Sequence, residues 1–331
     1  MTQFASLFTS AIVFGTVILL GAVGEILTER SGDLNLGVPG IMCIGGISGL
    51  IGTFIYENAC TVAGTDPSKL LCFILAVVCA LVGSVLAGLI YSVLTITLRA
   101  NQNVAGLTLT IFGGGFANFF GGAISKIAGG VGQVRVVATA SVFTANLNNS
   151  LRLGYFGEMF LSYGFMVYLA VIIAIFVNWF LKKTSVGLNI RAVGENPATA
   201  DAAGINVTKY QYLCTCIGAA ISGMGGLFFV MDYTSGTWSS DGALESLGWL
   251  AVALVIFARW KASHAIWGAY LFGILSWMYF YISGLTRSSQ EIFKMLPYIV
   301  TILVLVFVSV RKKKENLGPA ALGQSYFRED R

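Results

Sequence analysis

Charge is what this sequence has least of. Of 331 residues, only 11% are Asp, Glu, Lys or Arg, against roughly a quarter in soluble domains, and mean hydropathy is +0.80. That shortage excludes an ordinary soluble globular domain. Histidine is nearly missing: His264 is the only one, and in a short polar turn after Lys261 it reads as a solvated side chain, not a ligand. The six cysteines fall mostly in apolar runs, where cysteine behaves as a small hydrophobe. Cys214-Thr215-Cys216 is C-x-C rather than C-x-x-C, and no second pair stands at metal spacing, so no metal is expected. There is no G-x-x-x-x-G-K-[ST] loop to cradle a nucleotide triphosphate, no H-E-x-x-H and no nucleophile elbow. No catalytic residue and no bound cofactor are therefore expected. No dense chain of intramembrane acids marks a proton relay, and no Arg-rich span marks a voltage sensor. The first hydrophobic run has no basic segment before it and reads as a retained membrane helix. The net charge of +5 is too modest to imply nucleic acid.

What the chain has instead is apolar runs of membrane-spanning length, about twenty residues or more. They fall near 4–28, 34–56, 70–98, 104–124, 159–181, 212–230, 244–260, 265–284 and 295–310. The fold class is an all-α polytopic membrane protein of about nine transmembrane helices, some of them broken. Residues 1–310 form the membrane domain, with a polar loop at 182–211, and residues 311–331 form a basic tail. If the 182–211 loop is cytoplasmic and sides alternate from it, Lys69, Lys126, Arg135, Arg152, Arg287 and Lys294 lie outside, and the rest of the 20 Lys and Arg residues lie inside. The positive-inside rule then places the C-terminus in the cytoplasm and the N-terminus outside, with membrane lipid around the spans.

Glu25, near the inner end of the first span, is expected at the interface, where a carboxylate can reach water. Asn35 and Pro39 interrupt the glycine-rich second span and suggest a bent or broken helix, tolerated only where protein buries it or it lines a cavity. Gly45 and Gly49, then Ala80, Ser84 and Gly88, make small-residue faces for close helix packing, and Gly218, Ser222, Gly225 and Gly226 lie on closely related faces of the 212–230 span. After the inner turn that contains Asn103, the fourth span carries Thr108, Thr110 and Asn118 around Gly113-Gly114-Gly115, with Phe112 and Phe116. Polar groups beside glycine and aromatics suit a path for a small polar solute with a flat ring; alternatively the threonines bond back to their own helix. Trp238 either stacks on that solute or sits at the membrane interface.

The stretch 184–207 is the longest polar run between apolar segments. Asn196 is a good N-cap, Pro197 suits the first helical position, and Gly204 can close a helix in the left-handed conformation. A helix of about two turns hardly forms alone, so a partner protein is expected to hold it. Gly187-Leu188-Asn189-Ile190-Arg191-Ala192-Val193-Gly194-Glu195-Asn196-Pro197, continuing to Ala202-Ala203-Gly204-Ile205, resembles the coupling loop of ABC-transporter permeases of the branched-chain amino acid and simple-sugar importer type. Glu29-Arg30-Ser31-Gly32, Leu34-Asn35-Leu36-Gly37, Gly40-Ile41-Met42, the 250–260 run, Gly268–Gly273 and the tail segment Pro319–Gly323 with Tyr326–Glu329 are similar to the nucleoside-importing branch. Pro39 departs from the acidic residue expected there.

That resemblance implies a multi-pass subunit in a bacterial cell membrane. It also implies a cytoplasmic ABC ATPase that binds ATP and Mg and grips Gly187, Arg191, Gly194, Glu195, Asn196, Pro197, Ala202 and Gly204. A second, paralogous permease subunit and an external substrate-binding lipoprotein complete the complex. The solute is expected to be a nucleoside and to pass Asn103, Thr108, Thr110, Phe116, Asn118 and Trp238. Simple sugars or branched-chain amino acids are rival solutes. A secondary carrier and a membrane scaffold are rival classes; the first needs a coupling ionisable group at mid-membrane, and Glu25 and Glu245 are poorly placed for one.

Overall fold

The computed structural model describes residues 3–127, 135–145, 161–282, 284, 286–311 and 318–327. They form helices joined by turns and loops, with an isolated bridge between Arg135 and Thr237. In chain order the helices are α1 (Gln3–Glu29), α2 (Val38–Ala63), α3 (Lys69–Ser92), α4 (Gln102–Ile127), α5 (Val137–Phe143), α6 (Phe165–Lys183), α7 (Ser185–Glu195), α8 (Pro197–Ala202), α9 (Val207–Phe228), α10 (Ala243–Phe257), α11 (Ala262–Trp277), α12 (Arg287–Lys294) and α13 (Leu296–Arg311). Wide π turns extend α3 to Thr97 and α9 to Tyr233. Six described helices (α1, α2, α3, α4, α6 and α9) are long and apolar enough to cross a bilayer. The expected nine is not met by that measure: α10, α11 and α13 have only 15, 16 and 16 residues. The start of the expected 159–181 span and much of the outer 125–158 region lie outside the described residues.

Helix α1 is the centre of the bundle, packed along α9, α11 and α10, while α2 packs along α3, α9 and α4. Helix association in a bilayer has little hydrophobic drive and depends on close backbone approach. The small-residue faces supply it. Gly24 meets Gly218, Gly45 meets Gly223, and Gly226 lies on the backbone of Met42; a side chain at any of these would overlap the facing helix. Ser84 and Gly88 of α3 meet Gly223 and Ala219 in the same way. On its other side α3 exposes Leu70, Ile74, Val78, Val82, Leu86 and Ile90. Such a purely aliphatic strip suits hydrocarbon as its solvent.

The interruption expected inside the second span lies before it. Helix α2 runs unbroken from Val38, with Pro39 in its first turn, where a missing N–H costs nothing. The break is the non-helical segment 33–37, which ends in a turn at Leu36 and Gly37. It climbs beside the opening turns of α4: Leu34 bonds to Gln102, Gly37 lies against Leu109 and Gly40 against Gly113. Buried non-helical backbone must have its polar groups satisfied within the protein. Gln102 Oε1 accepts from Leu34 N–H at 2.7 Å, and Tyr91 Oη donates to Leu34 O at 2.6 Å. Glu25 Oε1 accepts from Asn35 N–H at 3.1 Å, Thr110 Oγ1 donates to Leu36 O at 2.8 Å, and Asn35 Oδ1 accepts from Gly37 N–H at 2.9 Å. Glu25 therefore does not reach water, contrary to expectation: it is 1% exposed and serves as an acceptor for backbone that no helix satisfies.

The packing makes a paired prediction. Gly226→Ala forces a Cβ into Met42 O, whereas Gly122 has open space before it. The first substitution should cost about 1–3 kcal/mol, seen as a lower unfolding midpoint in detergent, and Gly122→Ala should leave that midpoint within about 0.5 kcal/mol of wild type.

Candidate functional site

The polar stretch folds as two helices, not one. Thr184 Oγ1 accepts from Gly187 N–H at 3.0 Å and opens α7. Asn196 Oδ1 accepts from Thr199 N–H at 2.9 Å and opens α8, whose first residue is Pro197. Gly204 follows at φ +83°, the left-handed conformation that favours glycine. Asn206 Oδ1 then accepts from Lys209 N–H at 3.0 Å and opens α9. The sequence reading found the caps of α8 and missed those of α7 and α9. The signal was available: Thr184 and Asn206 belong to the same capping class, each just before a helical run.

Nor does α8 stand alone, so its shortness does not by itself require a partner. Ala200 is buried in a small core with Val193 and Val207, against which Ile205, Tyr210 and Tyr326 pack. Tyr326 Oη donates to Asp201 Oδ2 at 3.0 Å, and Asn189 Nδ2 donates to Tyr210 Oη at 2.8 Å. The eight residues singled out on this loop divide by position. Gly187 and Gly194 are buried, the first against the end of α6 and the second against Arg30 O. Arg191 and Pro197 are half-buried, while Glu195, Asn196, Ala202 and Gly204 are exposed. The turn between α7 and α8 is thus the presented surface, and the glycines set its angle.

The residues singled out around α4 also divide. Asn103, Thr108 and Asn118 are all exposed, and their spacing places Thr108 and Asn118 on one helical stripe with Gly115 and Gly122, two glycines with open space before them. Phe112 and Phe119, 54% and 70% exposed, border the stripe. Thr108 Oγ1 bonds back to Val104 O at 2.8 Å, as the alternative reading allowed. Thr110 is on the other side, buried and bonded to Leu36. Phe116 is half-buried between Phe112 and Phe120, with ring centroids 5.9 Å and 4.6 Å away. Trp238 packs inside the protein. It is 9% exposed, lies over Gly121, and its Nε1 donates to Asn118 Oδ1 at 3.1 Å. It positions Asn118 rather than joining the stripe. An exposed asparagine amide is costly against hydrocarbon, so this face of α4 suits water or protein, unlike the aliphatic face of α3.

At the end of the bundle where α7 and α8 lie, a cavity of about 670 Å³ is lined by Asp33, Arg99, Gln102, Lys209 and Gln211 among others. Burial pushes the Asp33 carboxyl up to about 7, opposed by its bond to Ser31, and burial lowers the Arg30 guanidinium from its ordinary value. Arg30 Nε donates to Trp260 O at 3.1 Å, and Trp260 Nε1 donates to Glu29 Oε2. Among the described residues no group of three or more His, Cys, Asp or Glu side chains is placed to hold a metal ion. Because the folded state holds the Asp33 carboxyl above its unfolded value, folding favours the neutral acid. The resulting penalty is absent below about pH 4, grows as pH rises, and is complete above about 7. Asp33→Asn should therefore raise stability at pH 8 by on the order of 2–4 kcal/mol and change it little at pH 4, as thermal unfolding in detergent at the two pH values would measure.

Comparison with known proteins places this geometry. Residues 7–305 match the family described as branched-chain amino acid transport system / permease component. The chain is 33% identical to a Haloferax volcanii protein provisionally named glucose ABC transporter permease protein TsgC13, covering 99% of both chains. It is 26% identical to the nucleoside ABC transporter permease protein NupC of Lactococcus lactis, over 96% of this chain and 95% of that one. It is 28% identical to the guanosine ABC transporter permease protein NupQ of Bacillus subtilis, over 92% of each. No solved structure matches. With the family covering nearly the whole chain and six helices fit to span a bilayer, this protein belongs to the branched-chain amino acid transport system / permease component family and is a multi-pass ABC transporter permease subunit of the cell membrane.

Proposed function

We propose that this subunit imports nucleosides in a complex with a cytoplasmic ABC ATPase, a second and paralogous permease, and an external binding lipoprotein. The observation that carries the reading is the α7–α8 turn: a glycine-set, triply capped pair of short helices that exposes Glu195, Asn196, Ala202 and Gly204 at one end of the bundle. The ATPase carries ATP and Mg and grips that turn. Its closure moves the two short helices as a lever, and ATP drives the change only because it binds one arrangement more tightly than the other. The end bearing the lever is the cytoplasmic one, the C-terminus lies on that side, and the N-terminus lies outside.

The solute path runs along the exposed face of α4 and is closed by the second permease. Asn118, held by Trp238, supplies hydrogen bonds, and Phe112 and Phe119 supply faces for a flat base. The curated names NupC and NupQ support the nucleoside. The provisional glucose name of the 33% identical relative supports a second reading, a simple sugar on the same path, in which the aromatic rings pack on the sugar face. Branched-chain amino acids and a secondary-carrier mechanism are less favoured.

Uptake competition on the assembled complex with uridine, adenosine, guanosine, ribose and leucine separates these readings. Nucleosides should compete best, and Asn118→Ala should reorder their preference while leaving assembly intact; competition by ribose alone would move the assignment to sugars. Gly194→Val, whose side chain would enter Arg30 O, should leave membrane insertion intact and lower solute imported per ATP hydrolysed by about tenfold, equivalent to a coupling loss of about 1.4 kcal/mol. An unchanged ratio would remove α7 from the lever.

A further inference from the structure

The geometry points to the C-terminal residues 318–327 as a strap that fastens the α7–α8 lever to the non-helical connection 30–37 between α1 and α2, so that the two move as one body and deliver the motion to α4. This rests on the importer reading for its direction, but the strap itself rests on bonds.

The tail returns to the bundle end that holds the lever and touches both partners within three residues. Ala321 N–H donates to Gly194 O at 3.0 Å, at the end of α7. Gly323 N–H donates to Gly32 O at 3.1 Å, in the turn between α1 and the segment 33–37. Both acceptors lie at or just past a helix C-terminus, where the last carbonyls lack intrahelical partners, and the tail, itself a turn at 320–323, bonds to them. Gly323 adopts φ +80° and Gly32 φ +98°, so the crossing uses backbone conformations that glycine alone takes without strain. Tyr326 carries the tail on to α8 through its bond to Asp201. Phe327 ends under Arg99, 4.5 Å from guanidinium to ring centre, beside the turn that enters α4. Gly318 lies against the Trp260 ring, the same residue that bonds Arg30 and Glu29.

The fastening has a mechanical consequence. Gly194 already packs on Arg30 O and Gly32 N, so the lever and the segment meet without side chains between them. With the tail bonded to both, they cannot slide apart without losing two backbone bonds at once. At its far end the segment is held by Thr110 and Gln102, both on α4. A shift of the α7–α8 turn therefore reaches α4 through backbone, and the same helix carries Thr108 and Asn118 on its exposed face. Thr110 and Tyr326 act as positioning residues at the two ends of this connection.

The test uses Tyr326→Phe and Gly323→Ala, which keep the tail's length and bulk, read first by amide hydrogen exchange on the whole purified chain. Loss of one net hydrogen bond in Tyr326→Phe, and a side chain forced to the positive φ of residue 323 in Gly323→Ala, should each speed exchange roughly fivefold in 196–204 and in 32–37 together. Faster exchange confined to 318–327, with 32–37 protected as in wild type, overturns the strap. The second reading is the number of ATP molecules hydrolysed per solute in the complete transporter. It should rise in Tyr326→Phe, and rise as well in Thr110→Val, where exchange in 196–204 stays as in wild type. An unchanged ratio in Thr110→Val overturns transmission through the segment. Failure of the importer reading shows separately, as absence of any co-purifying ATPase with the wild-type chain, and leaves the exchange result to decide the strap.

Discussion

The structure depends on one constraint: a stretch of non-helical backbone, 33–37, is largely buried against the opening turns of α4, where neither helix nor sheet pairing supplies its hydrogen bonds. Five bonds from side chains meet its exposed groups, and four of the donors or acceptors (Glu25, Tyr91, Gln102 and Thr110) come from α1, α3 and α4. The fifth is Asn35 turning back on its own segment. Each of these helices is thereby fixed in depth and rotation relative to the others. That explains polar residues which otherwise look misplaced in apolar runs. A buried polar group left unpaired costs roughly 1–3 kcal/mol, so the set is held together or not formed.

Close backbone contact supplies the rest of the cohesion. The crossings at Gly24–Gly218, Gly45–Gly223 and Gly226–Met42 bring α1, α2 and α9 to distances that any side chain would forbid. A core packed this way has few intermediate positions. It suits a permease, which must exchange one packed arrangement for another rather than deform continuously. The faces left uncovered differ in chemistry. That of α3 is aliphatic; that of α4 interleaves Thr108 and Asn118 with glycines and phenylalanines. Lipid satisfies the first, and only water, solute or protein satisfies the second.

The end of the bundle that bears α7 and α8 shows how local and tertiary chemistry share the work. Three N-caps and one left-handed glycine define the α7–α8–α9 connections, all by contacts within four residues. Their angle to the bundle is set elsewhere, by Gly187 on the end of α6, Gly194 on Arg30, and the returning tail. A two-turn helix that is too short to persist alone is thus stable within the chain, because Ala200, Val193 and Val207 give it a core and Tyr326 gives it a bond.

The sequence by itself determined the class, the membrane setting, the small-residue packing faces, and the caps Asn196, Pro197 and Gly204, because each of these is written in composition or in neighbours a turn apart. It also carried the family, through motifs spread along most of the chain. Only the tertiary structure decided that Glu25 is a buried acceptor, that the break lies before Pro39 rather than within α2, that Thr110 is buried and holds the backbone of Leu36, and that Trp238 bonds to Asn118. Those outcomes depend on partners far along the chain, such as Asn118 with Trp238 or Gly194 with Ala321. A single sequence gives each partner's chemistry but not its address, since hydrogen-bonding capacity is local and the fold chooses who meets it.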